Sequence, residues 1–106
     1  MIEFIETFIF TEKIKDILLD DEYSELQWEL ANNPKAGSLI PESRGLRKLR
    51  WAVPGKGKRG GLRVIYYWYT QDEKIYMLST YKKSEQEDLT KKQVKILINY
   101  VKEGVL

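Results

Sequence analysis

The spacing of apolar residues in the first third of the chain predicts one strand followed by two helices. Residues 2–10 are rich in Ile and Phe and contain no breaker, which favours a strand. From Thr11 the apolar positions recur three and four residues apart, which is the period of a helix. A second helix is predicted over residues 21–33, because Asp20 and Asp21 can cap its start and an Asn-Asn-Pro sequence ends it.

The middle of the chain changes to the two-residue period of a strand. Over residues 46–53, apolar and basic side chains alternate, and successive side chains of a strand point to opposite faces. We therefore expect Lys48 and Arg50 side by side on one face, with Leu49 and Trp51 on the face toward the core.

Two further strands and a closing helix are predicted in the second half. Residues 54–61 contain four glycines and a proline, which predicts a loop. Residues 62–70 are nearly all β-branched or aromatic, and residues 75–81 have a similar character after a turn, so both are predicted strands. Capping-box sequences begin at Ser84 and at Thr90, so the last helix can begin at either residue.

These elements predict an α+β fold of order β-α-α-β-β-β-α, with a mainly antiparallel sheet packed against helices. A chain of 106 residues with 42% hydrophobic residues is long enough to bury one core. No linker or internal repeat divides the sequence, so we expect residues 1–106 to form a single domain.

Charge is strongly segregated along the chain. Residues 1–43 hold three basic and ten acidic side chains, residues 44–63 hold eight basic and no acidic ones, and residues 64–106 hold seven and six. A basic patch of this density would attract a polyanion such as RNA or DNA, and the acidic segment would repel it. The pattern predicts nucleic-acid binding in one orientation, and the alternative is a solvated, flexible basic loop.

The residue types that are missing restrict the possible chemistry. The chain has no cysteine, which excludes disulfides and thiolate nucleophiles, and no histidine, which is the commonest metal ligand and neutral-pH base. Any catalysis must therefore use Lys, Arg, Tyr, Ser, Thr or carboxylates. The sequence has neither a signal-peptide pattern nor a run of about 20 apolar residues, so we expect a soluble, cytoplasmic protein without a membrane partner.

Three motifs follow one another along the chain: GLRKLRW, then GKGKRGGLRVIYYW, then LSTYKKSEQEDL before the last helix. In this order and spacing they resemble the RelE/HigB family of bacterial toxins from type II toxin–antitoxin systems, most strongly the HigB branch that carries the Gly-Lys-Gly-Lys-Arg-Gly-Gly loop. The resemblance extends over essentially the whole domain. It implies a microbial-RNase-type fold that enters the ribosomal A site and cuts mRNA, and a cognate antitoxin that blocks this activity.

The resemblance also implies where the active face lies. Members of the family carry basic residues on the second strand, an arginine on the third and a basic residue after the fourth. The corresponding catalytic residues of this chain are Lys48, Arg50, Arg63 and Lys83, with Tyr81 close by. The expected RNA-binding residues around them are Arg47, Lys56, Lys58, Arg59 and Lys82.

Two positions depart from the family pattern. The best-characterised members have an arginine at the position of Lys83 and a catalytic tyrosine at the position of Leu89. Leucine can neither exchange a proton nor orient a base. Either Tyr81 substitutes for the missing tyrosine, or this branch works with less side-chain chemistry.

The implied reaction is attack of a ribose 2′-OH on the neighbouring phosphate. This reaction needs no metal and no cofactor, and DNA lacks the nucleophile. Arg50 and Arg63 could clamp the non-bridging phosphate oxygens, but a permanently charged guanidinium cannot act as a base. Lys48 is the candidate base if neighbouring cations destabilise its charged form, and it is otherwise a phosphate contact.

Two other functions are compatible with the same sequence. A ParE-like toxin that inhibits DNA gyrase would use this scaffold without a basic catalytic face. A non-catalytic RNA-binding regulator would accept any basic residue at Lys48, Arg50 and Arg63. Expression of the chain would stop protein synthesis if it is an mRNA endonuclease, and would cause DNA damage if it inhibits gyrase.

Overall fold

A computed structural model describes residues 1–53 and 61–104 of the chain. Its elements are β1 (Glu3–Glu6), α1 (Phe8–Ile17), α2 (Asp20–Asn32), β2 (Ser38–Leu39), β3 (Leu46–Trp51), β4 (Leu62–Tyr69), β5 (Lys74–Lys82) and α3 (Lys91–Gly104). Lys56, Lys58 and Arg59, which the sequence assigns to a basic loop, lie outside the described residues. Within the described ranges, every helix is too short or too polar to cross a membrane.

The five strands form one sheet in the order β1-β5-β4-β3-β2. β1 runs parallel to β5, and the other three pairs are antiparallel. The mainly antiparallel α+β architecture predicted from the sequence is therefore confirmed. The sequence did not predict β2, because a strand of two residues is too short to show a periodic pattern.

The predicted first strand is too long, because residues 8–10 begin α1. Thr7 caps this helix, and its Oγ1 accepts a hydrogen bond from Phe10 N at 3.1 Å. Phe10 is then fully buried, whereas Phe8 is exposed. A short apolar run does not by itself distinguish a strand from a helix, so the prediction was wrong beyond Glu6.

The second helix starts one residue earlier than predicted, and its N-cap is Leu19. The Glu22 carboxylate accepts a hydrogen bond from Leu19 N at 2.8 Å, so it satisfies a backbone donor that the helix start leaves free. Asp20 and Asp21 are therefore not the caps. They lie in the first turn, where the helix dipole favours negative charge.

One face of the sheet packs against α1 and α2. The buried side chains of this core are Phe10, Ile14, Leu18, Leu26, Leu30, Leu49, Val53, Leu62, Val64, Tyr66, Ile75 and Met77. Trp51 is half-buried and packs against the same cluster. The predicted orientation of β3 is confirmed, because Leu49 and Trp51 face this core and their neighbours Lys48 and Arg50 face the other way.

The third helix covers part of the opposite face of the sheet. Leu46, Leu78 and Val101 are buried together there, and Tyr67 packs against them. The helix begins after Thr90, whose Oγ1 accepts a hydrogen bond from Gln93 N at 3.1 Å while Gln93 Oε1 accepts one from Thr90 N at 2.9 Å. The second of the two predicted capping boxes is therefore the one that starts the helix.

Tyr66 fixes the segment before β2 to the centre of the sheet. Its buried hydroxyl donates a hydrogen bond to Pro34 O at 2.6 Å and accepts one from Gly37 N at 2.9 Å. Tyr66→Phe leaves both backbone groups without this partner, so we expect the free energy of unfolding in urea to fall by about 1–3 kcal/mol.

Tyr67→Phe is the matched control for that change. Within the described residues, the Tyr67 hydroxyl makes no hydrogen bond, so its removal should change stability by less than about 0.5 kcal/mol. If both variants were as stable as the parent protein, the Tyr66 hydroxyl would not hold this segment in place.

Candidate functional site

Three neighbouring strands place polar side chains in one row on the face that carries Lys48. Arg50 of β3 is directly opposite Arg63 of β4, and Arg63 is directly opposite Tyr81 of β5. Directly opposite residues of a sheet point to the same face. The structure therefore brings together four of the five predicted catalytic residues, with Lys48 two positions from Arg50 on the same strand.

Arg63 is a buried cation with little to neutralise it. The residue is only 8% exposed, and within the part of the chain that the structure describes its guanidinium makes one long hydrogen bond, from Nη1 to the Leu62 carbonyl oxygen at 3.4 Å. Among the described residues, no carboxylate lies within ion-pair distance of it. A buried positive charge is costly unless a negative group pairs with it, so this position favours an anion.

Tyr81 places a buried hydroxyl group beside Arg63. The residue is 2% exposed, and within residues 1–53 and 61–104 its hydroxyl has no hydrogen-bond partner. Burial raises the pKa of this hydroxyl above its usual value, the nearby Asp88 carboxylate raises it further, and the Arg63 guanidinium opposes them. The hydroxyl is therefore protonated at neutral pH and can donate a hydrogen bond.

Asp88 adds a carboxylate to this basic face. Lys48 Nζ donates a hydrogen bond to Asp88 Oδ1 at 3.1 Å, and Leu89 N donates to the same oxygen at 2.9 Å. The bond from Lys48 is the main cause that holds the pKa of this carboxyl below its usual value, and Arg50 acts in the same direction. Asp88 is therefore ionised at neutral pH.

Asp88 was not among the site residues predicted from the sequence. The residue lies between β5 and α3 and is forty positions away from Lys48 in the chain. Its only signal in the sequence is its place in the LSTYKKSEQEDL motif, which says nothing about its partner.

A cleft of about 350 Å³ opens beside Lys48 and Arg50. Its other walls come from the segment around β2 and from Asp88. The lining residues are Ala36, Ser38, Leu39, Ile40, Pro41, Lys48, Leu49, Arg50 and Asp88. Its volume is at the lower end of the range of about 300–1,000 Å³ found for small-ligand sites.

The remaining predicted residues lie away from this row. Arg47 is on the opposite face, where its Nη1 donates a hydrogen bond to Gly37 O at 2.7 Å. Lys82 is opposite Leu62, on the face away from Arg63, and is exposed. Lys83 is exposed in the turn after β5. Thus Arg47, which was expected to bind RNA, lies on the face away from Lys48 and supports the fold locally.

The position of the missing family tyrosine contributes no polar group. Leu89 is half-buried and lies beside Ser79 and Leu97 in a small depression of about 100 Å³. Tyr81, in contrast, is in the row with Arg63. Among the described residues, the tyrosine side chain that lies in the row with the cationic residues is therefore Tyr81 of β5.

Comparison with known proteins gives two findings. A family described as "RelE toxin of RelE / RelB toxin-antitoxin system" matches residues 8–104. A solved structure of a mutant of the E. coli toxin RelE in the free state is similar in fold, with a TM-score of 0.56 and 13% sequence identity over 79% of this chain and 85% of that chain. The predicted RelE-like fold is therefore confirmed, and the assignment to the HigB branch stays a prediction.

Proposed function

Because the chain belongs to the RelE family of toxins from toxin–antitoxin systems, we propose that it inhibits translation by cutting mRNA in the ribosomal A site. A cognate antitoxin would block this activity. The observation that carries the proposal is the row of Arg50, Arg63 and Tyr81 on one sheet face, with Lys48 beside it.

This row suits the binding of a phosphodiester. Arg63 and Tyr81 are buried, and within the described residues neither has a strong hydrogen-bond partner. Arg50 is exposed at the end of the same row. A phosphate would supply the negative charge and the acceptors that these side chains lack, and guanidinium groups bind phosphate in a bidentate manner.

The same groups can stabilise the charge that develops during RNA cleavage. The 2′-OH loses its proton to water and its oxygen bonds to the phosphorus, and the bond from phosphorus to the 5′-oxygen breaks as that oxygen takes a proton from water. The products are a 2′,3′-cyclic phosphate and a free 5′-OH. Negative charge grows on the non-bridging oxygens, where Arg50 and Arg63 would donate hydrogen bonds. This reaction requires no metal.

Lys48 is assigned to charge stabilisation rather than to proton removal. Its side chain is only 20% exposed and its ammonium group forms an ion pair with Asp88. An ammonium group held in this ion pair acts as a hydrogen-bond donor, and it can donate to a phosphate oxygen as well.

Primer extension on cellular mRNA tests the proposed function. Brief expression of the chain should produce new 5′ ends inside translated codons, and a reporter mRNA whose start codon has been removed should remain intact. Co-expression of the antitoxin should abolish the new ends. Growth arrest with intact mRNA and DNA damage would support the gyrase-inhibitor alternative instead, and RNA binding without cleavage would support the regulator.

A further inference from the structure

The connection between β5 and α3 carries Asp88 to its ion pair with Lys48, although burial contributes little to the shape of this segment. Residues 83–90 form the connection. Gln86 and Leu89 are half-buried, and the other residues of the connection are exposed. Because so little apolar surface is buried here, the hydrogen bonds of the connection decide where the Asp88 carboxylate lies.

The side chain of Gln86 fixes the backbone of Asp88 to the start of α3. Gln86 Nε2 donates one hydrogen bond to Asp88 O at 2.7 Å and another to Gln93 Oε1 at 2.6 Å. Gln93 lies in the first turn of α3, and its Oε1 also accepts a hydrogen bond from Thr90 N at 2.9 Å. A side-chain amide has the two N–H donors that such a bridge needs. The bridge therefore ties both ends of the connection together around Asp88.

Asp88 in turn orients the side chain of Lys48. Asp88 Oδ1 accepts hydrogen bonds from Leu89 N at 2.9 Å and from Lys48 Nζ at 3.1 Å. Within residues 1–53 and 61–104, Asp88 is the only residue that forms a hydrogen bond or an ion pair with the Lys48 ammonium group. A lysine side chain is long and flexible. The position of Asp88 therefore determines where this ammonium group lies next to Arg50.

We propose that Gln86 is a positioning residue for RNA cleavage, because it holds Asp88 in the place from which Asp88 orients the Lys48 ammonium group. This inference rests on the proposed function, in which Lys48 donates a hydrogen bond to a phosphate oxygen. Gln86 itself touches no reacting atom, since its side chain bonds to Asp88 and Gln93 within the described residues. A donor that is oriented before the substrate binds needs no reorganisation during the reaction, so its release should slow the chemical step.

Kinetics of the purified protein with programmed ribosomes test this role. Gln86→Ala should lower kcat about three- to tenfold and change KM by less than about twofold, because the ammonium group is still present but is no longer held in place. Gln86→Glu keeps the shape of the side chain but cannot donate a hydrogen bond, so it should lose as much activity. Gln86→Lys restores a donor and should recover part of the rate.

Glu87→Ala is the matched control for the Gln86 variants. Glu87 is an exposed residue of the same connection, and among the described residues its carboxylate forms no ion pair and no hydrogen bond. Its replacement should therefore leave both kcat and KM at the values of the parent protein.

A double-mutant cycle separates positioning of Lys48 from a general role in stability. In a Lys48→Ala protein, the group that Gln86 would orient is missing, so the addition of Gln86→Ala should lower kcat by less than about twofold. A residue that only stabilised the fold would lower kcat by the same factor in both backgrounds.

NMR titration of the side-chain carboxyl groups tests the contact without RNA. The hydrogen bond from Lys48 is the main cause that holds the pKa of the Asp88 carboxyl below its usual value. In the Gln86→Ala protein, Asp88 should meet Lys48 less often, so this pKa should rise toward its usual value. The Glu87→Ala control should leave it unchanged.

Three results would contradict the proposal. A folded Gln86→Ala protein with the parent kcat would show that Lys48 needs no such support. Equal losses in the parent and Lys48→Ala backgrounds would give Gln86 a structural role alone. An unchanged pKa of the Asp88 carboxyl in Gln86→Ala would mean that other contacts hold this carboxylate. A parent chain that cleaves no ribosome-bound mRNA would reject the proposed function, whereas cleavage by the parent with no loss in Gln86→Ala would reject the positioning role alone.

Discussion

Arg63→Ala is expected to lower the rate of cleavage of ribosome-bound mRNA by about 10²–10³-fold, which is the usual effect of removing one preorganised donor to a developing oxyanion. Arg63 is held in the middle of the row by pairing on both sides of β4, so its guanidinium is in place before the substrate binds. Rates measured with purified protein and programmed ribosomes would give this ratio. Arg63→Lys should recover only part of the loss, because a lysine keeps the charge but not the bidentate geometry.

Arg44→Ala is a matched control for the Arg63 variants. Arg44 is an exposed arginine that belongs neither to the row nor to the cleft. Its replacement should leave the cleavage rate within about twofold of the parent rate, in keeping with a surface position away from the reacting groups. If a folded Arg63→Ala protein, checked by circular dichroism, cleaved at the parent rate, the assignment of this face to catalysis would be wrong.

Lys48→Ala is expected to have the second largest effect, a loss of about 10²-fold in the same assay. The change removes the ammonium group from the cleft and leaves Asp88 without its partner at 3.1 Å, so a carboxylate would then repel the phosphate. Lys48→Arg keeps a positive charge next to Asp88. It should therefore retain at least about a tenth of the parent activity.

The comparison of the two Lys48 variants separates charge stabilisation from proton transfer. If Lys48→Arg were as inactive as Lys48→Ala, positive charge alone would not account for the role of Lys48, and proton transfer by the lysine would be favoured, since arginine cannot accept or release a proton at neutral pH. Lys13→Ala, an exposed lysine of α1, serves as the control and should be fully active.

The elements that the sequence predicted best are those with a strong local pattern. The strand predicted over residues 62–70 corresponds to Leu62–Tyr69, and the strand predicted over residues 75–81 corresponds to Lys74–Lys82. Both have dense β-branched and aromatic residues bounded by turn residues, and such signals depend on neighbours in the chain alone. One of the two predicted starts of the last helix, at Thr90, is the start of α3, and it was recognisable for the same reason, since a capping box is complete within four residues.

The starts of α1 and α2 were misplaced because more than one local signal in the sequence was compatible with each. Residues 8–10 are apolar enough for a strand, but the hydroxyl of Thr7 caps a helix and Phe10 finds a buried site only in that helix. At the start of α2, two adjacent aspartates look like caps, and Glu22 supplies the hydrogen bond instead. Which residue begins each helix is decided by the cap hydrogen bond that forms and by the packing of the helix, and not by helix propensity alone.

In the candidate site too, some features follow from the local sequence pattern and others only from the pairing of the strands. Alternation along β3 determined that Lys48 and Arg50 share a face, and it also placed Arg47 on the other face with Leu49. No local pattern could show that Arg63 lies between Arg50 and Tyr81, because strand register is decided by how the strands pair.

By itself, the sequence determined the kinds of element, their order and the face on which the basic side chains of β3 lie, because these features follow from periods of two and of about 3.6 residues. The tertiary structure decided which distant residues meet. Asp88 reaches Lys48, Tyr81 is buried beside Arg63 with no hydrogen-bond partner among residues 1–53 and 61–104, and the segment before β2 closes one side of the cleft. These contacts arise from long-range packing of the sheet and its connections, for which the chain carries no periodic signal.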